Sequence, residues 1–139
     1  MRSVKSMLLL GMMLSVTVLL QAQDRKEIRD LGITSITIQE YFIEEGLADP
    51  LIESIKKYNA DGEVIEIKEI NRRGEVTRWE KYAYDGDRNL TEEVFLDPKG
   101  KVIRTEKSIF KEGLRVEKQF FNERDKLYKK KVYVYEYSQ

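Results

Sequence analysis

Six heptapeptides in this chain align without a gap. They are Tyr58-NADGE-Val64, Ile70-NRRGE-Val76, Tyr84-DGDRN-Leu90, Leu96-DPKGK-Val102, Phe110-KEGLR-Val116 and Phe121-NERDK-Leu127. Each opens on an aromatic or aliphatic residue and closes six positions later on Val or Leu. The second position is Asn or Asp in five of them and the fifth is Gly in three. Such residues favour turns, because they hydrogen-bond locally or accept positive φ. Consecutive starts are separated by 12, 14, 12, 14 and 11 residues, so every second start recurs at 26, 26, 26 and 25. A period of this size signals a repeat architecture, and its unit here is one hairpin.

The segments between the turns are VIEIKEI, VTRWEKYAY, LTEEVFL, VIRTEKSIF, VEKQFF and LYKKKVYVY. They are rich in β-branched and aromatic residues and have the length of strands. Connections this short make neighbouring strands antiparallel. Ile33 to Phe42 alternates and reads as a further strand. Leu51 to Tyr58 reads as another, because the repeat register makes Tyr58 a strand end; the alternative is a helix starting at Asp49-Pro50. Asp24 to Asp30 is a charged lead-in or a short helix. The expected fold is all-β: an antiparallel meander of about eight strands forming an open twisted sheet, with a closed eight-stranded barrel as the alternative.

Even spacing places Val64 with Ile70, Val76 with Tyr84, Leu90 with Leu96 and Val102 with Phe110 on one face of their strands. On that reading the face also carries Glu66, Lys68, Arg78, Glu80, Arg104, Glu106, Lys129 and Lys131. The other carries Ile65, Ile67, Trp79, Phe95, Ile103, Ile109, Val132 and Val134. Neither face is cleanly apolar. Val116 to Phe121 is an odd step, which places a bulge or register change near Phe120.

Residues 1–22 differ from the rest. Arg2 and Lys5 precede an apolar run from Met7 to Leu20, and Ala22 supplies a small residue for cleavage. This is the layout of a secretory signal peptide. The run is shorter than the roughly 20 residues that span a membrane. The expected product is a single β-hairpin-repeat domain, 23–139, with no membrane span after cleavage, placed in the periplasm, on the cell surface or in the medium. Removing residues 1–22 leaves 23 Lys+Arg against 25 Asp+Glu, a net charge of −2. No overall field then draws the chain to nucleic acid. Neither His nor Cys occurs, so disulfides and Ser–His or Cys–His nucleophilic catalysis are unavailable.

Three features carry candidate chemistry. Asp85-x-Asp87-x-Asn89 starts like a calcium loop, but Leu90 stands where Gly should follow and Leu96 where the bidentate Glu should be. It reads as a turn, with no metal. Glu44-Glu45 and Glu92-Glu93 are adjacent pairs; on a strand, adjacent side chains point to opposite faces. Tyr133, Tyr135 and Tyr137 alternate after Lys129 and Lys131 on the final strand. Their rings have an apolar body and a polar tip suited to a protein or glycan surface, and the lysines equally suit an edge that resists aggregation.

Arg78 to Ile103, RWEKYAYDGDRNLTEEVFLDPKGKVI, resembles the YD repeats of Rhs-type bacterial surface proteins through Tyr84-Asp85, Asn89-Leu90, Asp97 and Gly100-Lys101-Val102. Arg88 stands where that pattern has Gly. Exported MORN-like repeat proteins are similar too. The resemblance implies a repeat architecture. Together these readings give an exported non-catalytic β-repeat module, with no cofactor, that binds a protein or glycan at the bacterial cell envelope through Lys129, Lys131, Tyr133, Tyr135 and Tyr137. The alternative is a small-ligand carrier built as a closed barrel. Trp79 reads as a packing residue beside Ile67 and Phe95.

Overall fold

The computed structural model of the protein describes residues 24–46 and 49–138. The signal peptide read over 1–22, and its cleavage beside Gln23, lie outside the described residues. The chain divides into two compact units. One is Tyr58–Glu63 with the described part of Met1–Thr34, and the other is Ser35–Lys57 with Val64–Gln139.

In the first unit residues 24–30 are helical. The helix exit is fixed by the Ile33 amide donating to the Ile28 carbonyl (2.9 Å), and the Tyr58 amide donates to Thr34 (3.0 Å). Ile28 and Tyr58 are this unit's buried apolar residues. Burial, with Asp24 nearby, raises the Tyr58 pKa. Gly62 lies against the helix: a Cβ there would come within 2.3 Å of the Arg25 carbonyl oxygen.

The strands are β1 (Ser35–Glu40), β2 (Leu51–Tyr58), β3 (Val64–Ile70), β4 (Val76–Tyr84), β5 (Leu90–Leu96), β6 (Val102–Lys111), β7 (Leu114–Asn122) and β8 (Leu127–Val132). They form one sheet in the order of the sequence, β1 to β8, and each pairing whose register is resolved is antiparallel. β1 and β8 stand at opposite ends of this order, so the sheet is open. The closed barrel is thereby excluded, and with it the enclosed cavity of a barrel carrier. Leu51–Tyr58 is a strand, and the Asp49-Pro50 helix does not form. The final strand stops at Val132, three residues before the end expected from LYKKKVYVY.

Five of the six heptapeptides share one turn. The Asn or Asp at the second position accepts, through Oδ1, the amides two and four residues on, at 2.9–3.0 Å. This occurs at Asn59, Asn71, Asp85, Asp97 and Asn122. The backbone closes the same loop, with Asn71 N–H on the Glu75 carbonyl and Gly74 N–H on the Asn71 carbonyl, both 2.9 Å. The fifth position turns left-handed, at Gly62, Gly74, Arg88, Gly100 and Asp125. The exception is Phe110–Val116, which has Lys where the others have Asx. There Lys111 faces Leu114 across a two-residue turn, Glu112-Gly113, with both φ values positive, the tight hairpin form that favours Gly.

The repeat has a second signature. Ile70 faces Val76, but Glu69 faces Arg78, so Thr77 is an extra residue on the returning strand. Thr91, Ile103, Val116 and Tyr128 are extra in the same way. A bulge thus follows every turn from β3 to β8, including the one expected near Phe120, where the register shifts between Phe120 and Phe121. At two bulges the extra residue is Thr, whose hydroxyl donates across the pair: Thr77 to Glu69 and Thr91 to Ala83.

These bulges correct the faces expected from even spacing alone. Trp79 lies opposite Lys68 and Lys81 opposite Glu66, whereas Glu80 lies between Ile67 and Phe95. Trp79 therefore shares a face with Glu66 and Lys68, not with Ile67 and Phe95. Its indole N–H donates to Glu66 (2.8 Å), the Lys68 ammonium sits 4.1 Å from its ring centroid, and Gly100 approaches its far edge. Neither face of the sheet is dry: every residue of β3 and of β5 is half-buried. Long cationic side chains cover the rings instead, as Arg104 does over Phe95 at 4.0 Å. Such contacts contribute roughly 0.5–1 kcal/mol each where exposed.

Candidate functional site

The second unit has one buried apolar side chain among the described residues, Phe120 on β7. The sheet register places it between Glu106 of β6 and Lys129 of β8. Ser108 and Glu106 on the same face are buried as well. Around them lies a charge network drawn from three strands, β5, β6 and β7. Lys118 Nζ bonds both Glu93 (3.0 Å) and Glu106, and Arg104 Nε reaches Glu106 at 3.0 Å. Burial opposes the charge on Lys118, but the hydrogen bonds to Glu106 and Glu93 outweigh it and hold its pKa above the ordinary lysine value.

β8 borders this cluster. Lys129 faces Phe120 and Lys131 faces Lys118. The Phe120 ring thus has three ammonium groups about it, at 4.2 Å (Lys129), 5.6 Å (Lys118) and 5.7 Å (Lys131) from its centroid. Every residue of β8 is exposed. Tyr133 continues the pairing past the strand end: its amide donates to the Val116 carbonyl (3.0 Å) and its ring stands 6.0 Å from the Arg115 guanidinium. Tyr135 instead hydrogen-bonds the Arg115 carbonyl through its hydroxyl (2.7 Å). Tyr137 is 77% exposed. Of the five expected site residues, the structure therefore groups Lys129, Lys131 and Tyr133 on one face. It uses Tyr135 as a tether and leaves Tyr137 projecting.

Sequence reasoning missed Lys118 and Phe120 as members of this group. The signal was present in the Phe121–Leu127 turn. Pairing those two residues and adding one bulge residue brings Phe120 opposite Lys129 and Lys118 opposite Lys131.

A second polar network lies farther along the same face, on β4. Arg78 bonds Glu80 (2.9 Å) and, on β3, Glu69 (3.2 Å). Tyr82 donates its hydroxyl to Glu80 through a short hydrogen bond. The Arg78 hydrogen bond holds the Glu80 carboxyl below the usual range against opposing burial, and burial with the Glu80 carboxylate pushes Tyr82 up to about 12. These groups satisfy one another.

The remaining candidates resolve into structure. The Asp85 carboxylate takes the Asp87 and Asn89 amides and the Asn89 side chain, as Asp97 and Asn71 take theirs in sibling turns. Its hydrogen bonds with Asn89, first the side chain and then the backbone, lower its pKa. Among the described residues no group of three or more His, Cys, Asp or Glu is placed to hold a metal. Glu92 faces Lys107 and Glu93 faces Glu106, on opposite sides of the sheet. Glu45 is ion-paired to Arg72. No described helix is long and apolar enough to cross a membrane. No family model, curated protein or solved structure matches the chain.

Proposed function

We propose that the chain is an exported, non-catalytic β-repeat module that binds a protein or glycan at the bacterial cell envelope along the outer edge of β8. The observation that carries this reading is β8 itself. It is the last strand in the order of the sheet, pairs with β7 on one side and is exposed along its whole length. A strand in that position presents backbone donors and acceptors to a partner, and its side chains select among partners. The resemblance of Arg78–Ile103 to YD repeats supports placing function in the repeated sheet. Export rests on the layout of residues 1–22.

The test compares wild-type protein with a Tyr133→Ser/Tyr137→Ser variant, which leaves the Tyr135 tether in place, as baits for chemical cross-linking in envelope extract. Circular dichroism checks the fold. The expected result is a folded variant that loses a partner the wild type enriches reproducibly. The reading fails if the wild type enriches nothing, or if the folded variant captures the same partner equally well.

A further inference from the structure

The charge arrangement along β7 and β8 specifies the partner's chemistry. Inside the sheet, charged residues meet their opposites across strands: Glu69 faces Arg78 and Glu92 faces Lys107. Like charges face each other at Glu93 and Glu106, on β5 and β6. Such a pair is destabilising by itself. There the next strand supplies the counter-charge, because Lys118 of β7 bonds both carboxylates. The pattern recurs with inverted sign one step outward. Lys118 on β7 faces Lys131 on β8, with Lys129 two residues along. The strand that would supply the counter-charge is the one beyond β8. Among the described residues neither Lys129 nor Lys131 makes an ion pair, whereas Lys130, on the opposite face, reaches Glu117 at 3.8 Å.

The backbone of β8 is ready for such a strand. Tyr133 N–H donates inward to Val116. In an antiparallel ladder bonded pairs alternate, so Lys131 and Lys129 also point their peptide groups inward. Lys130 and Val132 point theirs outward. We propose that β8 accepts an extended acidic peptide segment as a ninth antiparallel strand, with carboxylates opposite Lys129, Lys131 and Lys130 and an apolar residue opposite Val132. The peptide read antiparallel to β8 then has an apolar residue followed by three consecutive acidic ones. An acidic polysaccharide would use the lysines alone and leave the outward peptide groups unpaired. A second copy docking β8 against β8 would oppose lysine to lysine. This inference rests on the binding-module reading and deepens it.

The test titrates a labelled synthetic peptide, Thr-Val-Glu-Glu-Glu-Tyr-Val, into the protein by fluorescence anisotropy. Its Gln-Gln-Gln counterpart and an oligogalacturonate are titrated in parallel. The Glu peptide should bind roughly tenfold tighter than the Gln peptide, since three cross-strand charge pairs each contribute a few-fold. Lys129→Gln/Lys131→Gln should remove most of that preference. Val132→Pro keeps every lysine and removes one outward N–H, and should weaken the Glu peptide about tenfold while leaving oligogalacturonate unaffected. If Val132→Pro disturbs folding, amide exchange of the wild type decides: the peptide should newly protect Lys130 and Val132. Equal affinity for the Glu and Gln peptides overturns the proposal. So does binding without new protection at Lys130 and Val132, or oligogalacturonate binding that matches the Glu peptide. Envelope capture lost in the tyrosine variant without Glu-peptide binding sinks this proposal and leaves the module reading standing. Glu-peptide binding at β8 without any envelope capture does the reverse.

Discussion

Charged side chains occupy positions that apolar ones hold in a two-layer fold. Glu80 shows how they contribute. It lies on β4 between a guanidinium and a phenol, and the Arg78 hydrogen bond lowers its pKa from the ordinary 4.5. A lowered folded-state pKa means that the unfolded chain takes up the proton first as pH falls. The stabilisation is therefore complete above the ordinary carboxylate value and is lost as pH drops through the folded one. Glu80→Gln should lower the melting temperature at neutral pH, and its further decline into acid should be shallower than that of wild type. Thermal melts of both proteins at neutral pH and below 4.5 check this; parallel acid declines would show that Glu80 is not paired as described. Sequence made these charges visible but not their partners. Arg78 and Glu80 stood out as charged positions, but their grouping with Phe95 depends on a bulge at Thr91.

At the scale of the hairpin, far more was legible. The edges of β3, β4 and β5 fall on the first and last residues of the heptapeptides, because Asx at the second position fixes where the strand must stop. Apart from the one expected near Phe120 from an odd step, the bulges after the turns were not legible, since Thr77, Thr91 and Ile103 are themselves good strand residues that nothing marks as unpaired. That single extra residue reversed the expected faces and set Trp79 beside Glu66 and Lys68. The turn geometry carries its own prediction. The left-handed fifth position is Gly in three turns, but Arg88 and Asp125 adopt it too, with φ of 64° and 57°. For a residue with a Cβ this conformation costs roughly 1–2 kcal/mol. Arg88→Gly should raise stability by up to about 1 kcal/mol, the gain being reduced by the greater freedom of the unfolded chain. Gly62→Ala should cost more than about 2 kcal/mol, because its Cβ would meet the Arg25 carbonyl as well as the backbone penalty. Gly74→Ala, with open space around it, should incur the backbone penalty alone. Urea denaturation of the three variants would rank them, and equal losses for Gly62→Ala and Gly74→Ala would contradict the described contact.

For the whole molecule, antiparallel order followed from the shortness of the connections, and openness did not. An eight-strand meander closes or stays open according to whether its first and last strands meet, which local pattern does not encode. The site was legible to a similar degree. Lys129, Lys131 and Tyr133 share a face as alternation requires, whereas the Tyr135 tether to Arg115 and the Lys118–Lys131 opposition arise from pairing with β7. The functional reading depends on one property of this sheet, that β8 has a single neighbour. Amide hydrogen exchange of the free protein measures it directly. With β7 as the only partner, the Lys129, Lys131 and Tyr133 amides should exchange slowly, and those of Lys130 and Val132 should exchange near the rate of unstructured chain. Slow exchange at all five positions would mean that another strand already covers the β8 edge, and would contradict the account.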